Sequence, residues 1–217
     1  LPADVIGAAP HRDAGDLLAS APGVYVARGE GDGVAHSIFL RGFDAEHGQD
    51  LELTMGGVPL NQPSHIHGQG YADLGFLIPE TVQAIRVTEG VYDPHQGDFA
   101  TAGSIAFDLG VERRGLVSRT TYGSFDTFRQ LLLWAPTGER DGTFGAVTYR
   151  HTGGFGVRRG GDSGAAMFQY ESSGEGDVRF RLTAALYGAR YGLAGILRQD
   201  DVDAGRVDFY GSYPDAT

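Results

Sequence analysis

The chain has 217 residues, a formal net charge of −11 and a sequence pI of about 4.9. That balance argues against a nucleic-acid partner, because such binding is dominated by basic contacts to phosphate. The 17 basic residues are all arginine and there is no cysteine, which excludes disulfides, thiol catalysis and zinc–thiolate sites. No apolar run reaches the roughly 18 residues of a membrane helix; the nearest is Leu131-Leu132-Leu133-Trp134-Ala135. A β-barrel stays open, since its strands cross with alternating residues. No basic segment followed by an apolar one stands at Leu1, so an exported protein would be present in mature or trimmed form.

In chain order, Asp13 is a candidate N-cap for a short helix through Ser20, stopped by Pro22-Gly23. Residues 24–26 read as a strand. Residues 28–34 form a polar glycine loop, and its Glu30 and Asp32 are expected in a solvated turn rather than at calcium. Then comes the stretch around which the first half is organised, SIFLRGFDAEHGQDLELTMGGVPLN over residues 37–61. Period-two alternation at Ile38 and Leu40, then at Leu51 and Leu53, is broken by Gly42 and by Gly56-Gly57, a strand–turn signature. Arg41, in line with these strand residues, is expected to find a carboxylate or carbonyl partner. Residues 62–71 (QPSHIHGQGY) are too polar and glycine-rich for core. Pro79-Glu80 suits the first turn of a helix, and residues 84–89 and 104–109 read as strands.

After Gly110 the texture changes. Residues 116–124, 125–134, 144–151, 165–171 and 178–191 read as strands. Val178, Phe180, Leu182, Ala184 and Leu186 fall on one face, with Arg179, Arg181 and Thr183 on the other. That dyad repeat suits a barrel strand with lipid outside and a wet lumen inside. A soluble antiparallel sheet with one wet face gives the same pattern. Links 136–142 and 172–177 are short, and links 152–163 and 192–217 are long, as expected for periplasmic turns and external loops.

Leu40-Arg41-Gly42-Phe43 followed by Gly56-Gly57-Val58-Pro59-Leu60-Asn61 resembles the plug domain of TonB-dependent outer-membrane receptors. So do Asp16-Leu17-Leu18 with Pro22-Gly23-Val24, Ile78-Pro79-Glu80 with Val82 and Ile85, and Gly97-Asp98-Phe99-Ala100 with Ala102-Gly103-Ser104-Ile105. Gly56 stands where an aspartate is usual, and Glu89-Gly90-Val91-Tyr92 where an Arg-Gly-Pro type turn is usual. The resemblance implies an α+β plug over residues 1–110, a small mixed sheet with short helices. Over residues 111–217 it implies the first strands and external loops of an antiparallel transmembrane β-barrel. Five strands cannot close a barrel of the 22-stranded type, so an N-terminal fragment ending inside an external loop is expected.

The resemblance further implies a receptor in the outer membrane of a Gram-negative bacterium. Such a receptor captures a scarce solute (siderophore, metal complex, vitamin or oligosaccharide) and is energised by the TonB–ExbB–ExbD complex. It implies a small-molecule solute and outer-membrane lipid as partners, and no cofactor, catalysis or nucleic acid. In the resembled family the matching plug loops touch ligand, which makes His47, Gly48, Gln49, Asn61, Gln62, His65, His67 and Tyr71 candidate ligand contacts. The matching arginine, Arg41, is expected to lock plug to barrel wall. His65-x-His67 offers two imidazoles for a metal or metal chelate, with no carboxylate or third histidine close in sequence. No resident metal site is assigned. Gly161-Asp162-Ser163-Gly164 resembles the nucleophile motif of trypsin-like proteases, but no oriented base accompanies it, and a flexible loop is expected. Asp200, Asp201, Asp203 and Asp208 are expected in a solvated external loop. A soluble plug-like binding or assembly module within a multi-chain complex is the alternative. The discriminator is whether lipid or a protein layer covers Val178, Phe180, Leu182 and Leu186.

Overall fold

The computed structural model describes residues 1–28, 32–138, 142–173 and 178–214. Glu30 and parts of the links 136–142 and 172–177 lie outside these described residues.

The chain opens with helix α1 (Ala3–Ala8), which has no side-chain cap and is seated by buried Ile6. Helix α2 (Ala14–Leu17) continues as a 3-10 turn through Ser20. Asp13 caps it, accepting from the Asp16 amide at 3.2 Å. Strands β1 (Val24–Ala27), β2 (Ser37–Leu40) and β3 (Phe43–Asp44) pair antiparallel. Strands β4 (Leu51–Met55), β5 (Val58–Pro59), β6 (Val82–Glu89) and β7 (Gly103–Leu109) form a second, mixed sheet in the order β5-β4-β7-β6, with β4 and β7 parallel. Gly56 and Gly57, at φ 58° and 86°, make the two-residue turn between β4 and β5, and two successive positive φ values are what such a turn requires. The helix expected from Pro79 is a single 3-10 turn, Pro79–Thr81; the β-branched Thr81-Val82 pair then hands the chain to β6.

Strands β8 (Gly115–Gly123), β9 (Thr127–Ala135), β10 (Phe144–Thr152), β11 (Gly161–Ser173) and β12 (Arg179–Tyr191) follow as an antiparallel meander in consecutive order. The strand β11 begins at Gly161, so the Gly161–Gly164 tetrapeptide is sheet and not a flexible loop. Among the described residues, a helix α3 (Gln199–Asp203) lies beyond β12.

The alternation resolves into two faces. Register places Leu132, Val147, Ala166 and Leu186 side by side, with Trp134 and Phe168 on the same face. This face is exposed: Leu116, Leu132, Trp134, Val147, Phe168, Phe180, Leu182 and Leu186 are all open to the surroundings. The opposite face carries Leu131, Leu133, Phe144, Ala146, Ala165 and Met167, all buried in one hydrophobic cluster with Leu17, Leu53, Ile78, Ile85 and Phe107 of the amino-terminal unit. The inner face is therefore dry where the first unit docks. Its polar groups flank this apolar patch, Arg181 on Glu171 and Thr183 on Gln169 away from the first unit, and Arg119, Arg129 and Arg150 in ion pairs with it. A uniformly wet inner face does not hold here, because most of this stretch is covered by the apolar side of the first unit.

Ion pairs tie the two units. Arg129 of β9 grips Glu80 in a bidentate pair, Nη1 to Oε1 at 2.6 Å and Nη2 to Oε2 at 2.8 Å. Arg119 of β8 reaches the same carboxylate at 3.4 Å. Asp32 accepts from Arg150 of β10 at 2.7 Å and from Arg28 at 3.2 Å, so it is an inter-unit bridge and not a solvated turn residue. Burial alone would push the Glu80 carboxyl up, but the Arg129 hydrogen bonds and charge outweigh it and hold the group below its ordinary 4.5. A depressed carboxylate contributes stability that is fully present above the unfolded value and is lost as pH falls through the folded one. Thermal melts of parent and Glu80→Gln are therefore expected to differ by a constant amount at neutral pH. The difference should shrink as pH falls below Glu80's ordinary 4.5 and vanish once pH has passed below its depressed folded value; one that persists unchanged in acid would contradict this.

Candidate functional site

Two loops meet at one end of the first unit, residues 45–50 before β4 and residues 62–71 after β5. Asn61 joins them from beneath. Its Oδ1 accepts from the Leu53 amide at 2.7 Å, and its Nδ2 faces the carbonyls of Gly48, Leu51 and Gly70 at 2.9, 3.0 and 2.9 Å. The loops cross backbone to backbone at Gly48 and Gly70, with φ 120° and 88°. A Cβ on Gly48 would lie 2.7 Å from the Gly70 carbonyl oxygen, and one on Gly70 would lie 2.7 Å from Gln49 Cα. Main-chain bonds from Ala72 to His47 (2.7 Å) and from Gln62 to Tyr71 (2.8 Å) complete the frame.

This frame brings His47, His65, His67 and Tyr71 together. The His65 ring stacks on Tyr71 at 3.9 Å and 14°. His67 lies 5.6 Å from His65, 5.5 Å from His47 and 5.7 Å from Tyr71. The Tyr71 hydroxyl accepts from the Ala35 amide at 3.0 Å. Nearby Gly33 abuts Tyr191 and Leu193, at the point where the long 192–214 segment leaves β12. The cluster therefore sits at the same end as the long links.

The expected contact residues divide into two groups. Gln49, Gln62 and His67 are exposed, while His65, His47 and Tyr71 are half-buried beside them. Asn61 and Gly48 are buried, and the Asn61 amide is spent on backbone, so both build the frame of the apex. Ile66, 96% exposed at the tip between His65 and His67, was not singled out by pattern; it is the one large aliphatic side chain in an otherwise polar loop. His95 lies apart, highly exposed and paired to Asp93 at 2.9 Å.

Arg41 is not in strand geometry. At φ 49° it turns out of β2, its side chain is two-thirds exposed, and its ion-pair partner is Glu89 at the end of β6. Arg41 thus ties the two sheets of the first unit to each other. Among the described residues, the ties to β8–β10 are those of Glu80 and Asp32. Asp200 and Asp201 of α3 pair with Arg198 and Arg206, and Asp208 accepts from the Tyr210 amide, so the acidic run is a charge-paired, exposed helix and turn. Asp13, Asp16 and His36 bring three ligand atoms within 4.8 Å, yet Arg28 already donates to both carboxylates. Ser163 pairs in register with Arg150, while His151 pairs with Asp162. Successive strand residues point to opposite faces, so that histidine cannot serve the serine.

Residues 1–104 match the family model for the TonB-dependent receptor plug domain. This part of the chain is a TonB-dependent receptor plug. The whole fold agrees with solved receptors. The copper transporter OprC is 22% identical over 86% of this chain and 29% of its own, with a TM-score of 0.61. The ferric yersiniabactin uptake receptor FyuA of Yersinia pestis is 16% identical over 93% and 33%, also at 0.61. The pyoverdine receptor FpvA of Pseudomonas aeruginosa PAO1 is 15% identical over 82% and 26%, at 0.58. At these identities the likeness establishes the fold: a plug followed by antiparallel strands of the receptor-barrel type. The chain spans about a third or less of each receptor. No curated protein matches the sequence.

Proposed function

We propose that this chain is the plug and first wall strands of an outer-membrane receptor that captures a scarce solute at the cell surface and imports it with energy from the TonB–ExbB–ExbD complex. The observation that carries the reading is the two-faced sheet. One face packs on the plug core, and the other is a continuous exposed apolar surface of Leu, Val, Phe and Trp. Exposed apolar surface on this scale marks contact with lipid or protein, and its dyad spacing is that of lipid-facing barrel strands. The plug ends near residue 110, and residues 111–217 supply wall and external loops. The role is binding and passage, not bond chemistry. The location is the outer membrane of a Gram-negative bacterium. The solute meets the apex, exposed Gln49, Gln62 and His67 with half-buried His65 beside them. The solved receptors of like fold are described with copper, pyoverdine and ferric yersiniabactin as cargo, a range that matches a solute-binding role.

Growth of the native strain under limitation for iron, copper, zinc or cobalamin, one at a time, tests this. Deleting the gene and inactivating the energising complex should each abolish uptake of the same solute. Normal uptake of all four after deletion, together with a soluble native polypeptide, would contradict the reading.

A further inference from the structure

His36, one residue before β2, is buried beneath α2. A Cβ on Gly15 of that helix would lie 2.4 Å from His36 Cε1, so the ring rests on the helix backbone and cannot turn out while α2 is seated. Its Nε2 is buried without a protein hydrogen-bond partner, 3.4 Å from Oδ1 of Asp13, although buried polar atoms are ordinarily satisfied. We infer that His36 is a pH-sensitive catch on the plug: when its ring takes up a proton, α2 lifts and the Arg28–Asp32 tie to β10 lets go, while the Glu80 grip stays. The inference goes beyond the receptor reading and requires no particular solute.

The ring faces Asp13 and Asp16 from α2, Arg28 from the end of β1, and Asp73 from the segment after the apex. Asp13 is already committed, its Oδ1 capping α2 and its Oδ2 taking Arg28. Arg28 also holds Asp16 at 2.8 Å and Asp32 at 3.2 Å, and Asp32 takes Arg150 of β10 at 2.7 Å. Ring, helix cap, Arg28 and wall thus form one chain of contacts. Arg12, Arg129, Tyr187 and Tyr191 complete the surroundings across a polar cavity of about 60 Å³. A proton on His36 adds a second buried cation beside Arg28, and a charge kept from water is costly. Burial holds the imidazole below its ordinary 6.5, and the Asp13 carboxylate only partly opposes this. The seated plug therefore binds this proton less tightly than a plug with α2 lifted and the ring in water. Acid favours the lifted form, beginning near pH 6.5 and growing until pH passes below the seated value. Asp16 and Asp32 do not titrate in that window. Burial alone would raise each, but Arg28 holds Asp16 and Arg150 holds Asp32 below the ordinary 3.8.

Hydrogen–deuterium exchange of the full native receptor in detergent, at pH 7.5 and 5.5, tests this. Peptides over residues 13–28 are read against peptides over β7, so the pH dependence of the exchange chemistry itself cancels. In the parent the ratio should rise severalfold in acid, by no more than about tenfold per pH unit. In His36→Gln and His36→Asn, whose side chains carry no proton switch, the ratio should stay level. Heat-modifiable gel migration checks that each variant retains its barrel, and the second variant stands in where the first does not. A parent ratio that stays level or falls in acid overturns the inference. So does a rise that persists in a folded variant, which gives the response to another group, His11 beside Glu80 first.

Discussion

Replacing Glu80 by alanine is expected to cost about 3–5 kcal/mol and to loosen the plug from the wall. The pair is nearly dry, with side-chain exposures of 12% for Glu80 and 14% for Arg129. Removing the carboxylate takes both hydrogen bonds from the Arg129 guanidinium and leaves it across the ladder from Arg150, a like charge. The cost of such a change is chiefly the uncompensated buried charge, not the lost attraction. A double variant, Glu80→Leu with Arg129→Leu, should therefore recover much of the loss, since it buries no charge. Thermal melts of the full receptor in detergent read the stability, and exclusion of a large antibiotic by cells reads the plug seal. A change below about 0.5 kcal/mol in Glu80→Ala would mean that solvent reaches the pair and that it behaves as a surface bridge.

Asn61→Ala should cost about 3 kcal/mol or more, by another route. It leaves a buried amide on Leu53 and the buried carbonyls of Leu51 and Gly70 short of a partner, while the Gly48 carbonyl keeps the Leu51 amide at 3.2 Å, and each group left short costs about 1–3 kcal/mol when nothing replaces the bond. The effect is local in structure. Strand β4 is also held by β7 through the parallel register from Leu51 to Met55, whereas the two apex loops are joined through Asn61 and the Ala72–His47 main-chain bond. Limited digestion with a protease that cuts before exposed aliphatic residues should thus cleave at Ile66 faster in the variant, while the rest of the plug resists. Asn61→Asp is not a rescue. A carboxylate keeps the acceptor for Leu53 but points its negative charge at the carbonyl oxygens of Gly48, Leu51 and Gly70. Unchanged cleavage at Ile66 in both variants would show that the apex holds itself together without Asn61.

Much of the fold is legible in the residues because two environments alternate across each strand. In β12, Phe180, Leu182 and Leu186 against Arg181 and Thr183 announce the period directly. In β9 the pattern is obscured, because Leu131 and Leu133 pack on the plug while Leu132 and Trp134 face outward, so both faces are apolar and the run reads as continuous. Helix α1 is silent in sequence because no side chain caps it. The 3-10 turn at Pro79 looks like a helix start because Pro and Glu favour both. For the site, polarity and glycine mark the two loops, but not their crossing. That His47 joins His65 and His67 depends on Gly48 and Gly70 touching, a contact between segments about twenty residues apart. Likewise, Arg41 is conspicuous in sequence, while the pair that grips the described strands, Glu80 with Arg129, joins residues 49 apart and has no local signal. Pairings at such separations are set by the docking of sheets and leave no local spacing to read.

These 217 residues carry no cysteine, so cysteines introduced here, read against the unsubstituted receptor as the background, give the most direct measurement of the central claim, that the outer face of the sheet meets lipid while the apex meets the outside. Single cysteines are placed at Leu132, Leu186 and Gln49 of the full receptor in its native membrane. Each is challenged in intact cells with a membrane-impermeant maleimide, then labelled with a fluorophore and exposed to a lipid-borne quencher. Gln49→Cys should react from outside and resist the quencher. Leu132→Cys and Leu186→Cys should refuse the aqueous reagent and be quenched. Ready labelling of Leu132→Cys and Leu186→Cys by the impermeant maleimide, without quenching by lipid, would contradict the account and give this face to water or to another protein.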